Sequence, residues 1–418
     1  MTEKKESGIG WVGEIPSHWT TIKGKYIFEN EKEVVGAKVD SFERLALTMK
    51  GVIKRSKDDT EGLQPDKFNT YQILRTGELV FKLIDLQNVS TSRVGLSPFT
   101  GIVSPAYIIL KAKENICVEY FEKYYLSMWM NQVFNALGDS GVRSSLNATD
   151  LLEIAVPFPP LEEQKRIADF LSKKCQQITD ISNDIELQIE KLEEQKCSLI
   201  SEVVNAGVES NAELVDSRIY YMAPYNKKWS LSKIGFECTK LSRTFEASDT
   251  ALICSNKGKV LVRPEDVSGK MVSEDNAMQG IKKGDIAIHG MDTWHGAIAM
   301  SDFDGKITRV VHVCDSKQDK RYIVYYLQHL AFTNVYKLIS NGVRGNTSDF
   351  RSWDKVANIY LPIPSIEEQH SIADYLDKKC AEIESVIADK KKQLEVLDNY
   401  KKSLIYEYVT GKKEVVNE

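Results

Sequence analysis

No C-x-x-C pair occurs in this sequence, and its seven cysteines, at 117, 175, 197, 238, 254, 314 and 380, are scattered and odd in number. That excludes a disulfide framework or a paired-thiolate zinc site and fits a reducing cytoplasm. No run of 18 apolar residues is present, and Met1 to Gly10 is polar, which argues against membrane spanning and export. Also missing are a G-x-x-x-x-G-K-[ST] phosphate loop, H-E-x-x-H, G-x-S-x-G and an Asn-Pro-Pro-aromatic segment, so catalysis has no visible home. Nor is there a strong positive charge: the net charge of −5 announces no nucleic-acid partner on its own.

What is present is a duplication. A chain of 418 residues exceeds one ordinary hydrophobic core, and its 42% hydrophobic and 28% charged residues suit a folded protein of two or three domains. Residues 157–205, beginning PFPPLEEQKRIADFLSKKC, align without gaps on 362–410, beginning PIPSIEEQHSIADYLDKKC, with 23 of 49 pairs identical. Shorter echoes keep the same order: His18-Trp19 with Lys228-Trp229, Arg75 to Val80 with Lys282 to Ala287, and Gly141-Val142-Arg143 with Gly342-Val343-Arg344.

The repeated segment has a helical seam. Leu171, Ile178, Ile185, Leu192 and Leu199 recur every seven residues, with Ile181 between, and the second copy offers Leu376, Ile383, Leu397 and Leu404 with Val386. Lys390 interrupts that seam where Ile185 stands in the first copy. Pro160 with Glu162 and Glu163, and the Ser365/Glu368 capping-box spacing, mark the starts; Gly207 and Gly411 mark the stops. About 42 helical residues give rods on the order of 60 Å. Two such helices in one chain pair most simply antiparallel, relating the halves by a pseudo-twofold axis; packing of each on its own domain, or dimerisation, is the other reading.

The expected fold is therefore α+β: two globular domains separated by two long antiparallel coiled-coil helices, with an internal pseudo-twofold repeat. Its divisions are 1–156, the helix 157–207, 208–361, the helix 362–411 and a tail 412–418. The globular halves contain strand-like runs at 78–83, 107–112, 286–289 and 306–313, and helical runs at 118–134 and 321–338. The helical segments hold 10 acidic against 6 basic residues and 10 against 7, a net of −7, which leaves the rest of the chain at +2. Acidic rods thus mask mildly basic halves, permitting DNA binding without requiring it.

Candidate recognition residues follow the central strand-like run of each half. In the second half they are His289, Met291, Asp292, Thr293 and Trp294; in the first, Lys82, Gln87, Asn88 and Arg93. Asn and Gln suit adenine, Arg and Lys guanine, and Asp the cytosine amine. The G-V-R stretches add Arg143, Ser144 and Ser145, and Arg344 and Asn346, where a loop arginine can meet phosphate or guanine. Against this stand a buried-Trp turn and ordinary solvated arginines. His289 and His295 flank Asp292, but no further ligand is spaced to complete a metal site.

The duplicated P-x-P-x-[LI]-E-E-Q-x-x-I-A-D-[FY]-L segment after a variable domain, with Ile15-Pro16-Ser17-His18-Trp19 at the opening, resembles the specificity subunits of type I restriction-modification systems. The resemblance covers nearly the whole chain; Lys390 departs from the seam. It implies a noncatalytic cytoplasmic subunit whose two target-recognition domains each read half of a bipartite asymmetric double-stranded DNA site, held apart by the helices. It further implies methyltransferase subunits that modify adenine with S-adenosylmethionine, and restriction/translocase subunits using ATP and magnesium, with no cofactor in this chain and no membrane partner. Half-sites about 34 Å apart, one helical turn, would lie on one duplex face. A coiled-coil scaffold without DNA contact, or a nuclease using Asp292 with His289 or His295, remain the competing readings.

Overall fold

The computed structural model describes residues 3–49, 51–59, 68–84, 86, 93–113, 115–137, 145–209, 211–264, 277–340 and 349–415. They form two compact units, one of Met1–Ile185 with Lys392–Glu418 and one of Glu186–Lys391. Each unit takes one half of each long helix. The first helix, Leu161–Ala206, has 46 residues and the second, Ile366–Val409, has 44, so each is roughly 65–70 Å long. None of the described helices is long and apolar enough to cross a membrane.

The helix halves run antiparallel within each unit. In unit 1 the rings of Phe170 and Tyr408 lie 4.6 Å apart, and Lys401 Nζ donates to Thr179 Oγ1 at 3.2 Å. In unit 2 Lys390 Nζ donates to Gln188 Oε1 at 2.6 Å, and Lys196 pairs with Glu384. Lys390, the seam's interruption, is thus half-buried with its ammonium hydrogen-bonded.

Leu171, Ile178, Ile185 and Leu376 are buried, and Leu192, Leu199, Ile383 and Leu397 are half-buried, with Leu404 buried at the far end. The intervening positions differ from the sequence expectation. Ile181 and its repeat partner Val386 are 49% and 44% exposed. The second stripe runs instead through Cys175, Ser182 and Ile189, and through Cys380 and Ile387. From each seam leucine or isoleucine the inward step is four residues and then three, so apolarity at the wrong offset turns Ile181 outward. Ser182 is tolerated inside because its hydroxyl donates to Ile178 O at 2.9 Å.

Gly207 (φ +93°) and Gly411 (φ +67°) take left-handed conformations just past the helix ends. A Cβ on Gly411 would also overlap the Pro16 ring, which ties the second helix to the chain's opening residues in unit 1. At the other end, the Glu368 N–H donates to Ser365 Oγ at 3.3 Å.

In unit 1 an antiparallel sheet orders Phe28–Glu29, β3 (Ile108–Ala112), β1 (Leu79–Lys82) and β2 (Arg93–Leu96). In unit 2 the same order reads Cys238–Lys240, β6 (Val311–Ser316), β4 (Ile286–His289) and β5 (Ile298–Met300). Helices α1 (Val118–Met130) and α2 (Lys320–Phe332) contribute Tyr120, Phe121 and Tyr124, and Tyr322, Tyr326 and Leu327, to the two cores. The expected run 306–313 is two strands, Gly305–Thr308 and β6, because a turn at Arg309–Val310 separates them. The helical runs are likewise each broken, at Gln132 (φ 56°) and Asn334 (φ 58°), whose left-handed backbone cannot continue a helix.

Candidate DNA-recognition site

The invariant part of the repeat is a buried clamp. In unit 1 Gln164 Oε1 accepts the Cys117 N–H at 3.0 Å, while its Nε2 donates to Pro159 O at 2.8 Å. In unit 2 Gln369 Oε1 accepts the Asp319 N–H at 3.0 Å, and its Nε2 donates to Pro364 O and Gln318 Oε1. Both glutamines are fully buried, so the E-E-Q signature fastens the long helix to the start of α1 or α2. Tyr120 OH donates to Val409 O at 2.9 Å and Tyr322 OH to Val204 O at 3.4 Å, which fixes the residue correspondence between units.

On that frame β1 and β4 carry the candidate loops. In unit 1 the Leu146 N–H donates to Leu83 O at 3.1 Å, and Ile84 forms an antiparallel bridge with Ser145. In unit 2 the Phe350 N–H donates to Gly290 O at 3.0 Å. Each bond joins the residue after the central strand to the segment just beyond the G-V-R stretch. The ends of these bonds, some 60 residues apart in the sequence, thus meet at one end of each sheet.

Lys82 is half-buried at the end of β1, with its backbone paired to Arg93 of β2, and Ser145 is exposed. Gln87, Asn88, Arg143, Ser144, Arg344 and Asn346 lie outside the described residues. In unit 2 His289, Met291 and Asp292 are half-buried around a 3-10 turn, Thr293–His295. His289 Nδ1 accepts the Asp292 N–H at 3.1 Å and lies 3.2 Å from Asp292 Oδ2. Burial pushes the His289 pKa below its ordinary value despite the Asp292 carboxylate, so the neutral ring accepts at Nδ1 and carries its proton on Nε2. Thr293 is buried, and Trp294 packs its ring against the unit 2 core.

The sequence did not single out Phe350 or Arg351, which press against this loop. A Cβ on Gly290 would come within 2.8 Å of Phe350 O and 3.0 Å of Arg351 Cα, so only glycine permits that approach. Arg351 Nη2 reaches Met291 Sδ at 3.1 Å. Their signal is their place a few residues beyond the second G-V-R stretch. Among the described residues no group of three or more His, Cys, Asp or Glu side chains could hold a metal.

The model of the type I restriction modification DNA specificity domain matches twice, over residues 9–191 and 226–396. The chain belongs to that family. It is a type I restriction-modification specificity subunit. It is 22% identical over 426 aligned positions to the putative type I restriction enzyme MjaX specificity subunit of Methanocaldococcus jannaschii, covering 96% of this chain and 95% of the relative. The MjaVIII specificity subunit of the same organism is 24% identical, covering 76% and 75%. A chain from a solved structure concerned with complex assembly and conformational transition of the type I R-M system is 14% identical, with a TM-score of 0.67, covering 96% of this chain and 99% of the other. That likeness extends the shared fold over nearly all of this specificity subunit.

Proposed function

We propose that each unit of this specificity subunit reads one half of a bipartite, asymmetric double-stranded DNA site, and that the chain itself is noncatalytic. The observation that carries the reading is the repeated junction: each unit fastens its strand-end loop to the segment beyond G-V-R by an equivalent backbone hydrogen bond. The side chains on the two junctions differ, Lys82 and Ser145 in one and His289, Met291 and Asp292 in the other. A shared frame with different edges is what reading two unlike half-sites requires. Gln87, Asn88, Arg93, Arg143, Ser144, Arg344 and Asn346 complete the proposed contact set, while Thr293 and Trp294 hold the loop in shape.

The partners in this reading are methyltransferase subunits that use S-adenosylmethionine on adenine, and restriction/translocase subunits that use ATP and magnesium, in a cytoplasmic complex. This chain's contribution is to bind, orient and select. The test is genome-wide adenine methylation in cells with and without the gene, supplied with its methyltransferase partner. Gene-dependent modification at one two-part motif is expected. An active, assembled complex that leaves no such motif overturns the reading.

A further inference from the structure

His312 stands on β6 with its side chain inside unit 2, 1% exposed, and belongs to neither loop. Its Nε2 lies 2.7 Å from Phe350 O. A carbonyl can only accept, so Nε2 carries the proton and Nδ1 a lone pair. Nδ1 is buried and meets no partner among the described residues, so the ring is held for its single bond to Phe350 and for its edge contact with Trp353, at 5.6 Å between centroids.

Phe350 is thereby fixed on three sides. Its N–H donates to Gly290 O at 3.0 Å, its carbonyl accepts from His312, and its ring packs edge-on against Tyr336 at 5.2 Å. The loop residues 290–292 and the segment beyond the second G-V-R stretch can shift only together. In unit 1 the residue matching His312 is Ile108, whose side chain has no hydrogen-bonding group, and the junction rests on the Leu146–Leu83 bond and the Ile84–Ser145 bridge. The polar pin of unit 2 therefore has no counterpart at the matching position in unit 1.

We infer that His312 is a positioning residue for sequence discrimination by unit 2: by holding the Phe350 carbonyl it fixes the recognition loop, without touching DNA itself. The inference rests on the proposed half-site reading. Losing the bond leaves the Phe350 carbonyl unpaired in the interior and frees the loop to accept wrong bases.

The test uses the assembled methyltransferase complex carrying full-length wild-type chain, His312→Leu or His312→Gln, acting on a plasmid library of one- and two-base variants of the wild-type motif. His312→Leu should raise methylation of mismatched sites about tenfold, the loss of roughly one buried hydrogen bond, in one half of the motif only. His312→Gln can place an amide donor near Nε2 and should restore discrimination. Unchanged discrimination in His312→Leu overturns the inference, and so does equal relaxation of both halves, which marks a general folding role. Failure of His312→Gln to rescue, with wild-type thermal stability, overturns it as well. A wild-type complex that methylates no two-part motif overturns the half-site reading and this inference with it.

Discussion

The two units share a frame and differ in how each fastens its domain to its long helix. In unit 2 Arg321 binds three carboxylates, Asp319 at 2.9 Å, Asp374 at 2.7 Å and Asp377 at 2.8 Å, and Tyr325 OH donates to Asp377 at 2.8 Å. The matching positions in unit 1 are Cys117, Asp169 and Ser172, with Glu119 for Arg321 and Lys123 for Tyr325. There Glu119, Lys123 and Ser172 line a cavity of about 330 Å³ between α1, the Arg44–Arg55 hairpin and the long helix. Duplication therefore preserved the apolar seam and the glutamine clamp, while the surrounding polar contacts diverged with the reading domains. What must be geometrically identical in both halves is buried and shared; what need only hold is local and free to differ.

The clamp gives the largest expected effect and the strongest test of that sameness. Gln164→Leu or Gln369→Leu removes the partners of at least two buried backbone groups, at about 1–3 kcal/mol each, so each should cost about 4 kcal/mol. Urea unfolding of the full chain should show similar losses for the two variants. A loss confined to one would mean that the shared motif does different work in the two units.

Acid should separate the units next. His329 is buried against the first helix in unit 2, with Nδ1 2.8 Å from Ser201 Oγ and Nε2 3.2 Å from Asn205 Nδ2, and burial lowers its pKa to about 4. The matching residue in unit 1 is Ser127, which does not titrate near neutrality. Because the folded pKa lies below the unfolded one, unfolded chains bind more protons, and stability present above about pH 6.5 declines as pH falls towards 4. The loss should reach about 3 kcal/mol in unit 2, read by hydrogen exchange of residues 186–391 against the rest between pH 7 and 4. His329→Gln should make the unit 2 profile shallower, the burial-lowered pKa values of His289 and His312 leaving a residual slope; equal acid sensitivity in both units would refute the assignment.

Much of the frame was legible because it is periodic. Leucine and isoleucine every seven residues allow one seam, and glycines past the ends allow one stopping point each. The offset of the second stripe was misread because Ile181 is apolar and Ser182 is not, whereas helical geometry, and a serine able to bond its own backbone, decide which faces inward. The E-E-Q motif was visible as a repeat, but its reason was not: nothing local says that a glutamine will be fully buried and bonded to a residue 47 or 50 positions away. The recognition loops could be paired between halves by their order along the chain. His312 left no such trace, since its partner Phe350 is brought to it by sheet closure 38 residues later.

The smallest expected effect concerns the polar anchor at Arg321, whose matching position in unit 1 is Glu119. Arg321 and its two outer partners are partly exposed, so solvent screens those pairs and each is worth little. Asp319 is different: its carboxylate is 5% exposed, accepts the Arg321 N–H at 2.8 Å and caps α2. Arg321→Ala leaves that cap its backbone bonds but removes its guanidinium, and should cost about 1–2 kcal/mol, less than the clamp variants. Glu119→Ala, at the matching place beside the unit 1 cavity, should change stability by under about 0.5 kcal/mol. If thermal unfolding showed Glu119→Ala to be as damaging as Arg321→Ala, unit 1 would possess an anchor of equal strength at this point, and the asymmetry would reduce to the reading junctions alone.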